Sequence, residues 1–120
     1  MIVDDSRAAR HAVRRMLTEL GFAEVFAAAD AETAKEILDS EVSFDVVLCD
    51  HYMPNTTGLE LIRDLKADPT HARLPIILMS AEHRLEHIET ALDVGASEYL
   101  VKPFNTDDLR AKLDLVTTAP

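Results

Sequence analysis

Val46-Val47-Leu48-Cys49-Asp50 is an unbroken apolar run that ends on a carboxylate. Polar and apolar residues do not alternate along it, so it reads as a strand covered on both faces, the kind found at the centre of a parallel sheet. Three other short runs end in the same way: Ile2-Val3 into Asp4-Asp5, Ile76-Ile77-Leu78-Met79 into Ser80, and Leu100-Val101 into Lys102. Central strands are expected over Phe44 to Cys49 and Pro75 to Met79, with a very short first strand ahead of Asp4.

The intervening segments carry apolar residues every three or four positions, the period of an amphipathic helix. Ala9, Val13, Met16, Leu17 and Leu20 form the first stripe, and Ala34, Ile37 and Leu38 the second. Leu59, Ile62 and Leu65 form the third, Leu85, Ile88 and Leu92 the fourth, and Leu109, Leu113 and Val116 the fifth. Strands alternating with helices in this way predict right-handed βαβ crossovers and a doubly wound parallel α/β domain. The punctuation agrees. Thr57-Gly58-Leu59-Glu60 has the spacing of a capping box at the third helix, and Gly21 and Gly95 fall where helices end in a left-handed residue. Asp68-Pro69 and Leu74-Pro75 bracket the entry to the fourth strand.

The chain has 120 residues, the size of one domain, and residues 1–120 are expected to form a single unit. Hydrophobic residues make up 48% of it and aromatics only 5%, with no Trp, so aliphatic side chains must build the core. A net charge of −10 repels a phosphate backbone, which argues against direct nucleic-acid binding and for protein partners. The lone Cys49 allows no internal disulfide, and its place in an apolar strand marks it as a small buried hydrophobe. No apolar stretch approaches the ~20 residues of a membrane span, and no basic-then-apolar leader suggests export. A cytoplasmic location is the expectation.

In a doubly wound sheet, ligands gather outside the carboxyl ends of the strands. Asp4, Asp5, Asp50, Ser80 and Lys102 should therefore share one pocket. Three ionised carboxylates there repel one another, and a divalent cation relieves this. Mg²⁺ suits the donor set, because it takes carboxylate and phosphate oxygens and keeps several waters. The run Asp4-Asp5-Ser6 would also serve as a helix start. Asp50, exposed at a strand end, is the candidate nucleophile for a phosphoryl group. The Ser80 hydroxyl and Lys102 ammonium can hold the phosphate so formed. Pro103 restricts the backbone that aims Lys102. His83 and His87, four apart, are expected to lie on the solvated face of the fourth helix.

Asp4-Asp5, Asp50-x-x-Met53-Pro54-x-x-x-Gly58, Ser80-Ala81 and Lys102-Pro103-Phe104, in this order, resemble the receiver domain of bacterial two-component response regulators over essentially the whole chain. The resemblance implies a flavodoxin-like (βα)5 fold with sheet order 2-1-3-4-5. It implies that Asp50 accepts a phosphoryl group from phosphohistidine on a sensor histidine kinase or histidine phosphotransfer protein. Asp5 and Asp50 would then ligate Mg²⁺ directly, Asp4 through water, and Tyr52 through its backbone carbonyl, while Ser80 and Lys102 contact the phosphoryl oxygens. Ser80 and Tyr99 would be the switch, Tyr99 turning inward. The face of the fourth helix, fifth strand and fifth helix would change its affinity for a downstream effector or a second copy of the chain. Tyr52 and Glu82 match positions that influence the access of water to the phosphoryl group. A Mg²⁺-dependent phosphohydrolase with an Asp nucleophile is the alternative. The haloacid-dehalogenase pattern, however, wants a second Asp where Tyr52 stands. A receiver-like domain that has lost phosphate acceptance would normally lack an acidic position, and all are present.

Overall fold

The computed structural model describes residues 1–40 and 42–117. Five strands and five helices alternate: β1 Ile2–Val3, α1 Arg7–Glu19, β2 Ala27–Ala28, α2 Ala31–Leu38, β3 Val47–Asp50, α3 Gly58–Ala67, β4 Ile76–Ser80, α4 Leu85–Val94, β5 Glu98–Val101 and α5 Thr106–Thr117. The strands pair in parallel in the order β2-β1-β3-β4-β5. This is the doubly wound arrangement that the alternation predicts and the flavodoxin-like strand order that the resemblance implies.

Both faces of the sheet are covered, and successive strand residues go to opposite sides. Val47 and Cys49 of β3 pack with Ile76 and Leu78 of β4 against Leu61, Ile62 and Leu65 of α3 and Ala31, Ala34 and Leu38 of α2. Leu48, Ile77 and Met79 point the other way, onto Val13 and Leu17 of α1 and Leu109 and Leu113 of α5. Ile76, Ile77, Leu78 and Met79 are all fully buried, each contributing about 1.5–3 kcal/mol of transfer free energy. An unbroken apolar run is what two covered faces require.

The strand boundaries differ slightly from expectation. β3 begins at Val47 rather than Phe44 and takes in Asp50, while β4 begins at Ile76 and takes in Ser80. The parallel ladder extends through these polar residues, pairing Asp50 with Met79 and Ser80 with Val101. β2 lies within the apolar run Val25-Phe26-Ala27-Ala28-Ala29 and is a two-residue edge strand paired with β1.

Caps set the helix starts. Ser6 and Asp30 accept the N–H groups of Ala9 and Thr33, and Thr57 accepts that of Glu60 at 3.2 Å. The capping box is modified, since the Glu60 carboxylate receives the Thr57 hydroxyl proton at 3.2 Å. Gly95 ends α4 at φ 132°, and a Cβ there would stand 2.6 Å from Lys66 Cγ. The first turn of α4 begins at Leu85, so His83 precedes the helix and does not share a face with His87. His87 instead faces Arg84, 3.1 Å away. At the other end of the sheet, buried His71 reaches Asp39 at 2.9 Å and ties the end of α2 to the α3–β4 connection.

Candidate functional site

The strand register delivers the polar groups to one place. β1 ends just before Asp4, β3 at Asp50, β4 at Ser80 and β5 just before Lys102, whose backbone N–H donates to the Ser80 carbonyl at 2.8 Å. Asp4 is only 1% exposed. Its Oδ1 accepts the Ser6 N–H at 2.9 Å, and its carbonyl accepts the Arg10 guanidinium at 2.8 Å. Asp5 is exposed at the rim. The Asp50 side chain is 13% exposed. Carboxylate oxygens of Asp4, Asp5 and Asp50 lie within 4.8 Å of one another.

Lys102 is the cation set against this cluster. Its Nζ donates to Asp50 Oδ1 at 2.7 Å and to Asp4 Oδ2 at 3.3 Å. Burial pushes the Asp50 carboxyl above its usual range and the Asp4 and Asp5 charges add to this; Lys102 pulls against them. Burial works to lower the Lys102 ammonium, but the bond to Asp50 and the charges of Asp50 and Asp4 outweigh it, so it sits above the usual lysine value. Three carboxylates against one ammonium leave net negative charge in a pocket of hard oxygen donors, which fits a divalent cation such as Mg²⁺. The Lys102–Pro103 peptide is cis.

α3 approaches the site closely because its first residue has no side chain. The Gly58 N–H donates to the His51 carbonyl at 2.8 Å. A Cβ at Gly58 would collide with the Asp50 carbonyl oxygen and stand 2.8 Å from Leu78 Cδ1. Gly58 thus sets the distance between the third helix and the backbone that carries Asp50.

Ser80 is 1% exposed. Its Oγ accepts the Glu82 N–H at 3.1 Å and lies 3.1 Å from His51 Nδ1. His51 is a site residue that the sequence reading missed; its only signal was adjacency to Asp50. His51 is 7% exposed, and its ring stacks on Tyr52 with centroids 4.2 Å apart. Burial pushes the imidazole below its ordinary value, against the pull of Asp50 and Glu82. Tyr52 is exposed. Tyr99 lies buried with its hydroxyl donating to the Glu82 carbonyl at 2.5 Å. That carbonyl satisfies the buried hydroxyl. Glu82 is held by Arg84, whose guanidinium keeps its carboxyl down at about 2.

Asp4, Asp5, Asp50 and Lys102 therefore meet at the strand ends, with Ser80 closing the neighbouring strand, Tyr52 stacked on His51 and Tyr99 bonded to Glu82. A doubly wound domain with an acidic pocket and one lysine at the strand ends belongs to the class of proteins built to handle a phosphoryl group on an aspartate. Comparison with known proteins makes the class specific. Residues 1–114 match the response regulator receiver domain. The chain is 34% identical to chemotaxis protein CheY1 of Helicobacter pylori over 97% of its length and 94% of that protein's. It superposes on chemotaxis protein CheY4 of Vibrio cholerae with a TM-score of 0.87 at 34% identity, over 96% of this chain and 94% of that one. It also superposes on the receiver domain of the sensor histidine kinase PA1611 of Pseudomonas aeruginosa, with a TM-score of 0.87 at 27% identity, over 98% and 95% of the chains. In that relative a magnesium ion is coordinated in the active-site cleft. The chain belongs to the response regulator receiver domain family, as a CheY-type phosphoaccepting domain of two-component signalling. The phosphohydrolase alternative is not favoured. No helix among the described residues is long and apolar enough to cross a membrane.

Proposed function

We propose that Asp50 is the phosphoacceptor and that residues 1–120 act as one receiver unit in the cytoplasm. The single observation that supports this most is the 2.7 Å contact between Lys102 Nζ and Asp50 Oδ1 beside two further carboxylates. In this reading a carboxylate oxygen of Asp50 attacks the phosphorus of a phosphohistidine on a sensor histidine kinase or histidine phosphotransfer protein. The P–N bond breaks, the histidine leaves with the bonding pair, and an acyl phosphate forms on Asp50.

Asp5, Asp50 and the Tyr52 carbonyl would hold Mg²⁺, with Asp4 acting through water. The cation, when bound, neutralises charge on the phosphoryl oxygens. Lys102 is already aimed at Asp50 and would follow the new phosphoryl group as its counter-ion. Ser80 would donate to a phosphoryl oxygen. Tyr99 would couple the site to the α4-β5-α5 face, since its hydroxyl ties β5 to Glu82 in the β4–α4 loop. That face carries exposed Leu85, Leu92 and Val101 and would bind the downstream effector, a fused output domain or a second copy of the chain. The domain would act only on itself, catalysing its own phosphorylation and dephosphorylation.

The test is acetyl phosphate with Mg²⁺, read by intact mass. Native protein should gain one phosphoryl mass and lose it slowly, and Asp50→Asn should gain none. Equal labelling of the Asn variant would remove Asp50 from the role.

A further inference from the structure

A serine hydroxyl has one proton to donate. Two partners surround Ser80 Oγ, the Glu82 N–H and His51 Nδ1, each at 3.1 Å. The amide is only a donor, so of the two the imidazole nitrogen alone can accept the hydroxyl proton. A hydroxyl this deeply buried is costly if its proton finds no acceptor. The ring is also fixed in place. The His51 N–H donates to the Met79 carbonyl at 2.9 Å, its carbonyl accepts the Gly58 N–H at 2.8 Å, and Tyr52 lies over its face at an interplanar angle of 20°.

We propose that His51 is a positioning residue whose Nδ1 holds the Ser80 hydroxyl proton and surrenders it when Ser80 turns to a phosphoryl group on Asp50. The inference rests on the reading of Ser80 as a phosphoryl contact. Two acceptors then compete for one proton. His51 stabilises the resting arrangement against the loaded one and so sets how far a phosphoryl group shifts the equilibrium between them.

Calorimetric titration of the full chain with beryllofluoride, a phosphoryl mimic, at saturating Mg²⁺ tests this. His51→Phe keeps a flat ring against Tyr52 and removes the acceptor. Affinity should rise about three- to tenfold, the size of one net hydrogen bond. His51→Asn, which returns an acceptor oxygen near the Nδ1 position, should restore the native affinity. Ser80→Ala should weaken binding by itself and should abolish the effect of His51→Phe in the double variant. Ser80→Ala without effect would sink the reading of Ser80 and the role of His51 with it. Ser80→Ala weakening binding while His51→Phe leaves it unchanged or lowers it overturns the His51 proposal alone. Long-range ¹⁵N spectra of the native imidazole decide the matter without any variant. A neutral His51 ring bearing its proton on Nε2 supports the proposal, and one bearing it on Nδ1 overturns it.

Discussion

Replacing the proposed phosphoacceptor, Asp50→Asn, should make the domain more stable in the absence of divalent cations. The carboxylate loses about 3 kcal/mol to repulsion from Asp4 at their separation of up to 4.8 Å, taking an effective dielectric of ~20, and less from exposed Asp5. It gains about 6 kcal/mol from Lys102 at 2.7 Å on the same scale. These terms come close to cancelling, and the cost of burying the charge remains. The upward shift of the Asp50 carboxyl has the same sign, with burial as its largest cause. A neutral isostere should therefore stabilise the fold by about 1 kcal/mol, raising the melting temperature by about 4 °C for a domain of this size. Thermal melts at pH 7 in chelator measure it.

Two controls make the reasoning specific. The folded-state carboxyl lies above its unfolded value, so as pH falls the folded native protein takes up its proton first. Native stability then rises relative to the variant, and the gap should close below about pH 4. Mg²⁺ should stabilise the native protein by about 2.7 kcal/mol at a hundredfold excess over its dissociation constant, and the variant by clearly less. A variant that melts lower than native in chelator, or a cation that raises both melts equally, would refute the electrostatic account of the pocket.

Other substitutions probe the supports of the site. Gly58→Ala forces α3 away from the Asp50 carbonyl and should cost about 1–3 kcal/mol by urea unfolding, with Mg²⁺ affinity falling as well. Full stability in that variant would show that the close approach is dispensable. Tyr99→Phe leaves the Glu82 carbonyl without its buried donor and should cost about 1 kcal/mol, measured the same way. Cys49 is fully buried and its thiol is pushed far up by desolvation, so native protein should resist iodoacetamide while denatured protein reacts at once. Fast native labelling would place Cys49 outside the core.

Much of this molecule is legible in one dimension because its determinants are local. Phe44 to Cys49 and Pro75 to Met79 read as central strands since both faces of a doubly covered sheet demand apolar side chains. The polar residue closing each run marks the strand end where a ligand site forms. Gly95 and Thr57 announce helix ends through backbone geometry that few other residues supply. β2 escapes such reading although Val25 to Ala29 is apolar and closes on Asp30; only the pairing with β1 limits the strand to Ala27 and Ala28.

Tertiary structure alone decided how the site is wired. That His51 faces Ser80 across 29 positions, that Lys102 bridges Asp50 and Asp4, and that Tyr99 spends its hydroxyl on the Glu82 carbonyl all depend on the register between β3, β4 and β5. Residue types can specify which groups a pocket will contain. Hydrogen bonds form only within about 3 Å and over a narrow range of angles, so which group holds which is set by packing that no local pattern encodes.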